Sequence, residues 1–216
     1  MIYTEVYAAP EWNEREYLRY AGTTPQAVSA EERSLIQKCL SEVENKLIYK
    51  VCWGRFPVRR TENGLDFGFL QTESKGLAKN LEGCEEVIVF AATIGLEIDR
   101  LIRRYTSLSP AKALFFQAIG AERIESLCDA FCEDMKGKGL LLRPRFSPGY
   151  GDLPLELQKD LFRVLDCPRK IGLTLNESLL MSPSKSVTAL IGIGGRAEEE
   201  KNKCGTCQKT DCAYKG

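Results

Sequence analysis

Arg145, Pro148, Gly149 and Tyr150 stand within the six residues Arg145-Phe146-Ser147-Pro148-Gly149-Tyr150. Arg145 is a permanent cation whose planar fork of donors suits a carboxylate. Pro148 restricts the backbone, while Gly149 accepts a positive φ or lets a ligand approach closely. Tyr150 adds a ring face for stacking or for a cation, and a hydroxyl. The set suits a ligand that carries a carboxylate and a cationic centre and lies beside an extended segment. The same residues equally build a turn between a strand and the next helix, with Arg145 in an ordinary salt bridge. A second chemistry-bearing group lies near the C-terminal end. Cys204, Cys207 and Cys212 follow the spacing C-x2-C-x4-C, which suits thiolate ligands of zinc or an iron–sulfur cluster. A fourth ligand would be Cys167, Asp211, a partner's residue or an exogenous group, and the alternative is a tail of reducible thiols. The sequence contains no histidine. That excludes a Ser-His-Asp triad, a Cys-His dyad and any imidazole ligand, and no catalytic residue is assigned.

The elements that must position these groups are legible from periodicity. Residues 11–22 read as a short helix that stops at Gly22. Ser29 with Glu32 three residues on forms a capping box for a helix carrying Leu35, Ile36, Leu40, Val43 and Leu47. Ile48, Val51, Trp53 and Phe56 predict a strand that Pro57 limits, and Leu65, Phe67 and Phe69 alternate as a half-buried strand after a turn at residues 62–64. Residues 74–80 predict a helix, 87–92 a strand buried on both faces, and 96–105 a helix. Ser109-Pro110 opens a long helix that stops at Gly137 and bears Leu114, Ala118, Ala121, Leu127, Cys128, Phe131 and Met135 along one stripe. A strand over 140–146 leads into the Arg145 segment, Asp152 offers a cap for the following helix over 155–165, and 186–193 is a further strand. Helices and strands mix without a regular βαβ repeat, which implies an α+β fold with an antiparallel or mixed sheet. Residues 1–195 form this domain, and 196–216 are a charged linker and cysteine-rich tail.

The segment at 145–150 and a second one, Leu175-Asn176-Glu177-Ser178-Leu179-Leu180-Met181-Ser182-Pro183-Ser184-Lys185-Ser186-Val187, together resemble the two signature stretches of the activation domain of cobalamin-dependent methionine synthase. That family reads roughly Arg-Pro-Ala-Pro-Gly-Tyr and then Leu-Thr-Glu-Ser-x-x-Met-x-Pro-x-x-Ser-Val. The resemblance implies a twisted antiparallel sheet with several helices. It also implies an S-adenosylmethionine site using Arg145, Pro148, Gly149 and Tyr150, with Glu177 from the second stretch. Ala121-Glu122-Arg123-Ile124-Glu125-Ser126-Leu127 resembles the family's Ala-Asp-Arg-Leu-Ala-Glu-Ala. The family's ligand-contacting glutamate there falls on Ser126, with Glu125 beside it as the candidate. Lys185 stands where a small residue is common and would add a cation near the site. The implied role is support for reductive remethylation of a corrinoid held by a methionine synthase or related methyltransferase. The cobalamin sits on that partner, and the electron comes from a flavodoxin-type donor. The chain carries no homocysteine, folate or cobalamin module, so the expectation is a stand-alone activation protein. The alternative is a metal- or cluster-carrying accessory protein that does not bind S-adenosylmethionine.

Thirty basic and thirty acidic residues cancel, which gives no support for nucleic acid or an anionic membrane as partner. Met1-Ile2-Tyr3-Thr4-Glu5 lacks the basic and apolar regions of a signal peptide. Cys39, Cys52, Cys84, Cys128, Cys132 and Cys167 read as reduced thiols in a core, as expected for a cytoplasmic protein.

Overall fold

The computed structural model describes residues 1–194. Its centre is an antiparallel sheet in the order β1-β2-β6-β9, built from Ile2–Tyr7 (β1), Tyr49–Pro57 (β2), Cys84–Thr93 (β6) and Ser186–Gly194 (β9). The continuous apolar run of β6 is explained by burial on both faces. Ile88, Phe90 and Ala92 point to one side and Val87, Val89 and Ala91 to the other. On the first side lie the helices Glu14–Tyr20 (α1), Ala30–Val43 (α2), Glu97–Leu108 (α4) and Pro110–Gly137 (α5). On the second lie Lys75–Asn80 (α3), Gln158–Leu165 (α6) and Cys167–Ile171 (α7). A small sheet covers this second side with them, formed by Arg59–Thr61 (β3), Gly64–Asp66 (β4) and Gln71–Thr72 (β5). The expected α+β fold with an antiparallel sheet is therefore present. No helix among the described residues is long and apolar enough to cross a membrane.

Local chemistry accounts for most element ends. The Ser29–Glu32 capping box forms in both directions. α5 begins at Pro110 as predicted, although the Ser109 side chain makes no cap bond. It passes its C-terminal turn through Gly139 at φ +84° rather than Gly137. The alternation Leu65, Phe67, Phe69 is not one strand. β4 ends at Asp66, whose Oδ1 accepts from the Gly68 amide at 2.6 Å and turns the chain.

Three further differences matter for the site. β1 carries the β-formers Ile2, Tyr3, Val6 and Tyr7 and was not predicted, yet it pairs with β2 over its whole length. Residues 140–146 are not a regular strand. They run beside the outer edge of β9 through bridges Leu142–Ile193 and Phe146–Leu190, between which the register shifts by one residue. The helix expected over 155–165 opens with a 3-10 turn, Leu155–Leu157, before α6.

Candidate functional site

The site is built where residues 143–150 leave the edge of β9. The Arg143 amide donates to Gly192 O at 2.9 Å, and the Phe146 and Leu190 amides and carbonyls exchange bonds of 2.9 and 2.8 Å. Phe146 is buried among the residues on the α6 side of the sheet. Arg145 turns the other way, as alternation in an extended segment requires. Its Nη2 donates to Glu125 Oε2 at 2.9 Å and lies 2.9 Å from Asp129 Oδ1, both on α5. Burial works against the Arg145 charge. The nearby Cys128, Glu125 and Asp129 more than offset it, so the guanidinium is held above its ordinary value. Tyr20, at the end of α1, has its phenol raised by burial first and then by the charge of Glu125.

The pairing with α5 resolves a point left open by the sequence. Glu125, not Ser126, meets Arg145, while the Ser126 hydroxyl donates to Glu122 Oε1 at 2.7 Å. Asp129 was missed, although its spacing of four residues from Glu125 puts both on one helix face. Glu122 is fully buried and paired with Arg123. Arg123 donates to the carbonyls of Pro10 and Glu11 at 2.7 Å each and lies 5.1 Å over the Trp12 ring. Glu122 also accepts from the Asn13 amide at 3.0 Å. The Ala-Glu-Arg motif of α5 therefore clamps residues 10–13 onto the helix and so leads α1 to its place beside Glu125.

Residues 147–150 form a tight turn closed by the Tyr150 amide on Ser147 O at 3.0 Å, with Pro148 second and Gly149 third at φ +86°. A Cβ on Gly149 would also meet Leu155 Cδ1 at 3.1 Å. Pro148 is buried, whereas Tyr150 is 69% exposed and packs edge-on against Phe146 at 5.3 Å. The turn is fixed from beyond by Asp152, which does not cap the helix that follows it. Its carboxylate accepts from Ser74 Oγ at 2.5 Å, Lys75 N at 2.7 Å and Gly76 N at 3.1 Å, and so caps α3 instead. Ser74, then burial and the two amides, set its pKa, and the net effect is downward. A depressed carboxylate stabilises the fold above its unfolded value near 3.9, and that contribution is lost as pH falls through the folded value. Asp152→Ala is expected to lower the melting temperature by about 3 °C at pH 7, and the gap from wild type should close below about pH 4. Thermal melts at both pH values check this, and a gap that persists at low pH would refute it.

The hairpin part of the second signature lies elsewhere. Thr174–Leu175 (β7) and Met181–Ser182 (β8) form a hairpin against α6, with Glu177 in its turn. Glu177 lines an open groove of about 700 Å³ with Lys159, Phe162 and Arg163 of α6. The described contacts of Arg145 run to α5, so Glu177 and Arg145 face different helix layers. Lys185 lays its stem over α5, where a Cβ on Gly120 would meet its Cγ and Cε at 2.9 Å. Burial pushes its ammonium down, opposed by Asp99.

Cys204, Cys207 and Cys212 lie outside the described residues. Among the described residues, no group of three potential ligands is placed to hold a metal ion. Cys167 is fully buried, and its thiol is pushed up by its hydrogen bond with Cys52 and by burial, which keeps it protonated.

The arrangement of an antiparallel sheet with helices on both sides is found among solved structures. The crystal structure of the MetH reactivation domain bound to AdoHcy matches with a TM-score of 0.68 at 17% identity, covering 89% of this chain and 78% of that one. The fold is thus that of a reactivation domain. The family model for the activation domain of vitamin B12-dependent methionine synthase matches residues 142–214, a span that contains both signature stretches. No curated protein matches the chain.

Proposed function

We propose that this chain binds S-adenosylmethionine at Arg145 and supports reductive remethylation of the corrinoid of a methionine synthase or related methyltransferase. The observation that carries this reading is Arg145 itself. It is fixed at the sheet edge beside a Pro148–Gly149 turn, backed by α5 carboxylates, and lies within the span matched by the activation-domain family. The MetH domain bears a ligand with the same adenosyl and amino-acid parts. Arg145 supplies the fork for the carboxylate, Glu125 an acceptor for the ammonium, and the 147–150 turn a backbone wall with the Tyr150 ring at its end. The methyl-transfer chemistry would be supplied by the corrinoid on the partner. This chain's part is positioning and electrostatics, which needs no histidine base.

The test is a partner corrinoid protein held in the cobalt(II) state with S-adenosylmethionine and a flavodoxin-type reductant. Adding this chain should drive loss of the cobalt(II) absorbance and formation of AdoHcy in equal amounts. Equal rates without the chain would sink the reading. Zinc and iron content of the same preparation, purified anaerobically, reads the tail. Metal at Cys204, Cys207 and Cys212 without any S-adenosylmethionine binding would favour the accessory-protein alternative.

A further inference from the structure

Two carboxylates share one nitrogen of Arg145. Glu125 Oε2 and Asp129 Oδ1 each lie 2.9 Å from Nη2, while Nη1 is enclosed and has no partner among the described residues. The fork therefore meets its counterions through Nη2, and a ligand carboxylate must take that position from one of them. The two differ in exposure. The Glu125 side chain is 36% exposed, and that of Asp129 is 71% exposed. An exposed carboxylate regains water when it leaves an ion pair, so an exposed pair is worth little.

We propose that Asp129 is a placeholder for the ligand's carboxylate. In the empty protein it occupies Nη2. When a carboxylate-bearing ligand enters, Asp129 swings into solvent and Glu125 stays to hold the guanidinium in position. This rests on the reading of Arg145 as a carboxylate anchor, and it makes Asp129 a determinant of affinity that contacts the ligand only by competition. Asp129 keeps the Arg145 charge paired while the site is empty, at the cost of some affinity when it fills.

Calorimetric titrations of wild type, Asp129→Ala and Glu125→Gln with S-adenosylmethionine, AdoHcy and decarboxylated S-adenosylmethionine test it. Asp129→Ala should bind the first two about two- to fivefold more tightly, the range of one exposed ion pair. AdoHcy has the carboxylate without the sulfonium, so its gain separates release of Nη2 from altered attraction for the sulfonium. The decarboxylated ligand should show no gain, and Glu125→Gln should weaken the carboxylate ligands instead. Unchanged or weaker binding of AdoHcy to Asp129→Ala, or an equal gain for the decarboxylated ligand, overturns the placeholder while leaving Arg145 as anchor. If wild type and both variants all fail to bind S-adenosylmethionine, the anchor reading itself falls.

Discussion

Glu122→Gln is expected to lower the melting temperature by about 10 °C. The change is nearly isosteric, so the effect is electrostatic. Glu122 is fully buried and Arg123 almost so, and the two are joined through both Nε and Nη2 of the guanidinium. Burial opposes the Arg123 charge, and Glu122 more than offsets this, holding the guanidinium above its ordinary value. Neutralising Glu122 leaves a buried cation facing neutral groups among the described residues, the carbonyls of Pro10 and Glu11, the Tyr49 hydroxyl, the Trp12 ring and the new amide itself. Breaking a buried pair on one side costs about 3–5 kcal/mol, which in a chain of this size is about 10 °C in melting temperature. Removing both charges should cost less, so Glu122→Gln with Arg123→Met should recover part of the loss. A shift below about 2 °C for the single variant would show that the clamp on residues 10–13 is not what holds α1 against α5.

The fold was largely readable where patterns are local. The apolar run of β6, the capping box of α2 and the Pro110 start of α5 each follow from residues within a few positions of one another. β1 was readable in principle from Ile2, Tyr3, Val6 and Tyr7, but its partner β2 lies more than forty positions away and only the pairing makes it a strand. Residues 140–146 read as a strand by composition, and a one-residue register shift leaves them as two bridges to β9. Asp152 was expected to serve the helix next to it, and it serves α3, whose amides no sequence pattern connects to it.

The candidate site divides in the same way. Arg145 and Glu125 were named from the sequence and do meet. Glu177 was named with them, and the hairpin carries it to the α6 side. Asp129 emerged only from the geometry of Nη2.

Arg145→Ala is expected to reduce S-adenosylmethionine affinity about 10- to 100-fold, the worth of a hydrogen bond to a charged group in a half-enclosed position. The loss has two parts. The ligand carboxylate has no counterion left, and Glu125 and Asp129 become an unopposed acidic pair at the place where it would sit. Arg145→Lys keeps the charge without the planar fork and should fall between wild type and Ala. Melting temperatures of the variants establish that each is folded at the temperature of the titration.

The most direct measurement is therefore calorimetric titration of the protein with S-adenosylmethionine, wild type against Arg145→Ala. Saturable one-to-one binding by wild type, lost or weakened at least tenfold in the folded variant, is the predicted result. No binding by wild type, or equal affinity in the two proteins, would contradict it.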